Sequence, residues 1–315
     1  MKPTVSVIIP CYNAEAWIGR QITAVLAQLG PEDELVLVDN LSTDATPALL
    51  AEAAAADPRA HVVTAAERQG VNHARNVGLA EARGDILLIC DADDRIHAGW
   101  VEAFRSAFSD SGVAGGAAIP VDGNGRRVGE DLGLHHVFGG PPYPLGANMA
   151  MTRDVFDAVG GFDESFRGGH DEADFAWRAA DAGFPTRFVP EARIDYLQRS
   201  DVRGVVTQRR NYARTAIQLW TRHPHLVDPL GVSLRGAVQG ALTGLSTWGR
   251  VLRGSATLED GAEWGWRLGT LEGHLRYRLL GRPPAPLITH AETNPGGRGM
   301  PCLLYTSPSP RDVEE

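Results

Sequence analysis

The chain has 315 residues with 30 basic and 39 acidic side chains, a net charge of −9 and an apolar fraction of 43%. This length suits one large domain or two small ones, and the composition is that of an ordinary soluble globular protein. The acidic balance argues against a nucleic-acid surface, no run approaches the roughly 20 apolar residues of a membrane span, and no secretory signal is visible at the N-terminus.

Charge is unevenly spread. Residues 1–200 carry 16 basic against 29 acidic residues, whereas 201–282 carry 12 arginines against 6 acids. Cys11, Cys90 and Cys302 have neither metal nor disulfide spacing. They read as buried thiols of a reducing compartment, and the expected location is cytoplasmic.

Val5-Ser6-Val7-Ile8-Ile9-Pro10 reads as a first strand, ended by Pro10 because proline cannot donate to a ladder. Residues 14–29 have apolar positions near a 3.6 period and predict a helix, stopped by Gly30-Pro31. Glu34 to Asp39 is a second buried strand that ends on a carboxylate. Thr46-Pro47 opens a second helix, 61–64 is a third strand, and a helix starts near Gly70 and runs to about Ala82.

Ile86-Leu87-Leu88-Ile89-Cys90 is an unbroken apolar run, the pattern of a strand covered on both faces. Asp91, Asp93 and Asp94 follow at once. Carboxylates this close repel one another, and a hard divalent cation such as Mg²⁺ or Mn²⁺ suits their oxygens. Strands alternating with helices predict an α/β fold, a mostly parallel sheet flanked by helices, with ligands beyond the carboxyl ends of the strands. Tyr12, Asp39, Asn40, Asp91 and Asp93 all fall at such ends. No Gly-x-Gly-x-x-Gly and no Walker-type loop follows the first strand, which disfavours a nucleotidyltransferase.

A helix over 99–112 and a strand over 113–121 precede a Gly- and Pro-rich segment, 122–145, long enough to be a functional loop. It contains the adjacent pair His135 and His136, a candidate metal contact. Strand character returns over 146–151. Gly168-Gly169-His170-Asp171-Glu172-Ala173-Asp174 marks a helix start, where acids complement the helix dipole and where one of them is placed to act as a general base. Asp174 and Arg178 lie four apart and can pair on one face.

In this order the motifs resemble family 2 of the inverting glycosyltransferases, of GT-A fold. The resemblance rests on residues 5–13, 38–44, 74–78, Asp91-Ala92-Asp93-Asp94, Gly160-Gly161-Phe162-Asp163-Glu164 and 171–178, and covers about residues 4–200. It implies a nucleotide-sugar donor (UDP or dTDP favoured, GDP allowed) and a saccharide or lipid-linked acceptor, in envelope polysaccharide or glycolipid synthesis. Pro10, Tyr12, Asp39, Asn40, Arg75 and Asp91 would bind the donor nucleotide. Asp93 and Asp91 would hold the metal with Asp94 in support. Glu172 would be the base, with Asp171 beside it. Asn148 and Asp174 would line the sugar or acceptor side.

Three positions depart from the pattern. Asn40 stands where a second acid is frequent, though its oxygen can still accept from a pyrimidine N–H. Glu172 stands where Asp is frequent, and Asp195 lies near a position often held by a metal-binding His. The alternative reading is a nucleotide-sugar-binding protein of the same fold without transfer activity.

Residues 201–282 predict helices over 205–220, 230–253 and 262–280, rich in Arg with Trp248, Trp264 and Trp266. This is a candidate peripheral membrane contact or a packing face on the catalytic domain. Residues 283–315 have no periodicity and predict disorder, and 299–315 resemble a sequencing artefact.

Overall fold

The computed structural model describes residues 2–198, 201–226, 234–243, 249–250, 253–290 and 304–305. Its centre is an eight-stranded mixed sheet of order β3-β2-β1-β4-β7-β6-β8-β5. The strands are β1 (Val5–Cys11), β2 (Glu34–Asp39), β3 (Ala60–Thr64), β4 (Ile86–Cys90), β5 (Arg95–Ile96), β6 (Val113–Val121), β7 (Asn148–Thr152) and β8 (Thr186–Leu197). The expected parallel strands are β1 to β4. Beyond β4 the sheet departs from a purely parallel one, because β7 pairs antiparallel with both β4 and β6. β5 and β8 escape the sequence reading. β5 has two residues, and β8 carries Arg, Pro and Glu in its middle and is largely solvent-facing there.

β1, β2 and β4 are buried along nearly their whole length, so their apolar runs are two-faced strands. β1 extends one residue past Pro10, which was expected to end it. The β4 ladder stops at Ile8↔Ile89, and from there β1 pairs only with β2. Proline is tolerated where one side of a strand has no ladder.

α1 (Ile18–Leu26), α2 (Thr46–Ala56), α3 (Val71–Glu81), α4 (Trp100–Ala107), α5 (Arg153–Val159) and α6 (Asp171–Asp181) cover the sheet. One apolar cluster holds Ile18, Ile22, Val25, Trp100 and Phe104 against one face, and a second holds Val77, Leu79, Phe156, Phe162 and Phe175 against the other. Cys11 and Cys90 are buried free thiols, as read.

α7 (Val202–Arg222), α8 (Leu234–Thr243) and α9 (Leu258–Gly273) follow, and α9 runs into a π-helical turn, His274–Leu279. α7 is capped by the Asp201 carboxylate and α9 by a Thr257/Asp260 capping box. α9 lies close against α7 through glycines at four-residue spacing. A Cβ on Gly265 would stand 2.4 Å from the Val206 carbonyl oxygen, and one on Gly269 only 2.0 Å from that of Arg210. Ala216 and Leu219 of α7 share a core cluster with Trp177 of α6, so α7 packs onto the part before residue 200. Trp264 is buried while Trp266 is 37% exposed. Trp248 lies outside the described residues.

The expectation of disorder from residue 283 does not hold for 283–290. Leu287 N–H donates to Asp163 at 2.8 Å, and its carbonyl accepts from Glu164 N–H at 2.8 Å. Gly161 N–H donates to Thr289. These partners lie far off in sequence, so local composition does not reveal them. Most of 299–315 lies outside the described residues.

Candidate active site

The turn after β4 brings Asp91, Asp93 and Asp94 together, with ligand oxygens within 4.8 Å of one another. Buried Gln21 of α1 holds this turn: its side-chain amide donates to the Asp91 carbonyl at 3.2 Å and accepts from Ile96 N–H at 3.1 Å. Arg20 donates to the Asp93 carbonyl at 2.9 Å. Asp94 is 2% exposed and accepts from Leu197 N–H at 3.0 Å, while its second oxygen is buried without a hydrogen-bond partner. Burial, then Asp91 and Asp93, push the Asp94 carboxyl well above the ordinary range. An orphaned carboxylate oxygen among three acids fits a hard divalent cation.

Arg75 joins this cluster to the start of α6. Its guanidinium donates to Asp91 and to Asp171, both at 3.0 Å, and it is 5% exposed. Phe162 lies under it at 5.5 Å. A Cβ on Gly146 would crowd it at 2.9 Å. Arg75, expected near the nucleotide, is therefore a bridge between the acidic turn and the helix that carries Glu172.

That helix begins from a strained approach. Gly168, Gly169 and His170 have φ of 104°, 130° and 65° in succession, the last costly for a residue with a side chain. The imidazole of His170 is locked by Thr215 Oγ1 at 3.0 Å and lies between the rings of Tyr143 and Tyr212. Burial lowers its pKa to about 4. The turn aims Asp171 and Glu172 back toward Arg75. Burial raises both carboxyls, and the charge of Asp171 adds to the rise at Glu172 while Arg75 moderates it at Asp171. Tyr143, Tyr196 and Tyr212 surround this region; burial raises each phenol, and Glu172 adds to the rise in all three. Sequence reasoning missed these tyrosines and His170, which share no periodicity; adjacency to Asp171 was the one signal for His170.

On the other side of the sheet ends, Pro10, Tyr12, Asn40, Gln69 and Gly70 line a mostly apolar cavity of about 170 Å³. Tyr12 is 50% exposed, and Asp39 at the end of β2 is 8% exposed. Asn40 differs from expectation. Its amide donates to the carbonyls of Ala65 and Arg68 and its oxygen accepts from Gly70 N–H at 2.7 Å. The side chain clamps the 65–70 loop at the wall of this cavity.

Two further residues are corrected. Asn148 is fully buried; it accepts from the Trp100 indole at 2.7 Å and donates to the carbonyls of Ala117 and Ala192. It secures the irregular step in β6 between Gly116 and Ala117 and lines no acceptor space. Asp174 is also buried, and binds Arg178 at 2.8 Å and His223 at 2.9 Å, so it ties α6 to the end of α7. Arg178 goes on to the carbonyls of Val159 and Gly161.

Asp195 pairs with His97 at 2.7 Å and shares a cavity with Asp93. Neither it nor His135 and His136 belongs to a metal-capable group of three among the described residues. His135 instead stacks beside Tyr143, and segment 122–145 folds into short antiparallel bridges, including His135↔Tyr143.

The family model for glycosyl transferase family 2 matches residues 6–169. Glycosyltransferase AglE of Haloferax volcanii is 31% identical over 196 residues, 59% of this chain and 64% of that protein. The succinoglycan biosynthesis protein ExoO of Rhizobium meliloti is 38% identical over 120 residues, 38% of this chain and 33% of that protein. The chain thus spans about a third to two thirds of the length of these relatives. Among solved structures, the mannosyltransferase PcManGT from Pyrobaculum calidifontis, in complex with GDP-Man and Mn²⁺, superposes with a TM-score of 0.58 at 21% identity, covering 87% of each chain. S. aureus TarS 1-349 in complex with UDP-GlcNAc gives 0.51 at 20% identity over 94% of this chain and 99% of that one. Both share the GT-A fold.

Proposed function

The chain belongs to glycosyl transferase family 2, and on that premise we propose that it moves a sugar from a nucleoside-diphosphate sugar to an acceptor hydroxyl, with divalent-metal dependence and inversion at the anomeric carbon. The observation that carries this reading is the Asp91–Arg75–Asp171 bridge, which couples the acidic turn to the helix start bearing Glu172.

Asp91 and Asp93 would hold the metal with Asp94 in support. When bound, the ion supplies charge neutralisation to a departing diphosphate. The cavity at Pro10 and Tyr12 receives the nucleoside, with Tyr12 as a face for the base and Asp39 at its edge. Asn40 serves it by holding the 65–70 wall. Glu172 takes the proton of the acceptor hydroxyl. Its raised proton affinity, set by burial and by Asp171, makes it a stronger base than a solvated carboxylate. Attack from the face opposite the diphosphate inverts the anomeric centre.

The two solved neighbours hold GDP-Man and UDP-GlcNAc, so the reading takes either nucleotide and favours UDP or dTDP. Relatives named for succinoglycan and teichuronic acid biosynthesis support an envelope saccharide or lipid-linked acceptor. Exposed Leu275, Leu279 and Leu280 beside Arg276 and Arg282 support peripheral membrane contact from the cytoplasmic face. No helix among the described residues is long and apolar enough to cross a membrane.

Calorimetric titration of UDP, dTDP and GDP, with and without Mn²⁺, tests the donor site. One nucleotide should bind, and binding should weaken on chelation and in Asp93→Asn. Absence of binding by all three to folded protein would refute the reading. Binding with neither transfer nor donor hydrolysis would assign the non-catalytic alternative.

A further inference from the structure

A second cavity lies apart from the acidic turn. It has a volume of about 560 Å³, opens to solvent and is bounded by the loop after Asp163, by α7, by the π-helical turn and by the 284–287 strap. This is the size range of small-molecule sites. Three arginines from three separate elements line it: Arg167, Arg214 and Arg276. Ser165 and Tyr277 also line it.

The charge around this space does not balance. Glu164, the one acid on its wall, is 6% exposed and already faces Arg68 at 3.4 Å and His73 at 3.2 Å. Glu272 is shared among Arg210, Arg214 and Arg276 at 2.8, 3.6 and 3.0 Å. Asp163 faces Arg222 at 3.6 Å. Arg167 is exposed and makes no ion pair among the described residues. The Arg214 side chain is 19% exposed, yet its Nε–H is buried without a hydrogen-bond partner. Glu272 offsets part of this charge and the Arg167 carbonyl accepts from Arg214 at 3.1 Å; a further anion would offset the rest, and guanidinium forks match the oxygens of a phosphate.

We propose that this cavity is an anion site for a phosphate or diphosphate group, separate from the donor diphosphate site at Asp91 and Asp93. Arg214 and Arg276 grip the oxygens from α7 and the π-helical turn, and Arg167 closes from the loop. The site is one contact removed from the helix start at Asp171: Thr215 lines the cavity and also holds the His170 imidazole. The phosphate belongs either to a soluble phosphorylated saccharide or to a phospholipid headgroup, whose chemistry at this point is the same. Neither source is required by the proposed transfer reaction.

The test is calorimetric titration of the full chain with inorganic pyrophosphate in chelator, where no metal assists the donor site. Saturable binding is expected, unchanged in Asp93→Asn and weakened about tenfold or more in Arg214→Gln/Arg276→Gln. Arg167→Ala, which breaks no ion pair in the described structure, should also weaken it and guards against a folding defect in the double variant. Sedimentation with vesicles of phosphatidylcholine and phosphatidic acid separates the sources. Capture lost in the same variants assigns a lipid phosphate, and pyrophosphate binding without capture assigns a soluble one. No binding in either arm overturns the proposal. So does binding lost in Asp93→Asn but kept in the arginine variants, which would return it to the donor site without refuting that site.

Discussion

Arg75 Nη1 stands 3.0 Å from Asp171 Oδ2, across 96 positions of sequence, and the same guanidinium holds Asp91 with its other amine. The acidic turn and the start of α6 are therefore built as one unit. Arg75→Met should cost about 3–5 kcal/mol in denaturant unfolding, because it leaves Asp171 buried without its counter-charge. Unchanged stability would mean that the bridge does not form in solution.

Glu172→Gln should lower the transfer rate by about 10²–10⁴-fold, the usual contribution of a general base, while nucleotide binding measured by calorimetry stays intact. Retained turnover would sink the assignment of Glu172 as the base.

The pH profile follows from the raised Glu172 carboxyl. Its proton comes off above the ordinary Glu value of about 4.3. The base form is full at high pH and empties as pH falls through that raised value. The acidic limb of kcat/KM should therefore lie above the limb of a solvated carboxylate. A limb at or below that ordinary value would contradict the raised Glu172 carboxyl.

Asn148→Ala should destabilise the fold by more than about 2 kcal/mol, because the Trp100 indole and two carbonyls lose buried partners. A thermal melt reads this directly. A change in acceptor KM with unchanged stability would restore the acceptor-side role that the burial of Asn148 argues against.

Burial raises the Asp174 carboxyl, but Arg178 and His223 together hold it below its ordinary value. Its folded pKa is thus lower than its unfolded one, near 3.9. The stability it contributes is present above that unfolded value and is lost as pH falls through the folded one. Asp174→Asn should lower the melting temperature at neutral pH, and the gap to the parent should shrink under strong acid. A gap that is constant with pH would remove Asp174 from the ionised network.

Local pattern alone was enough for the strands β1, β2 and β4, the helices between them and the acidic turn. Unbroken apolar runs, helical periodicity and carboxylates at strand ends are properties of neighbouring residues. The pairing of Asp174 with Arg178 was legible for the same reason. Tertiary structure alone decided how polar side chains spend their hydrogen bonds. Asn40 and Asn148 look like ligand-facing amides in sequence, yet each is consumed by backbone groups 25 to 44 positions away. The role of Arg75, the His170–Thr215 contact and the docking of residues 283–290 on the 160–164 loop are also long-range. Composition and periodicity record what a residue is beside its neighbours in the chain. Which buried donor meets which acceptor is settled only when distant segments close around them and exclude water.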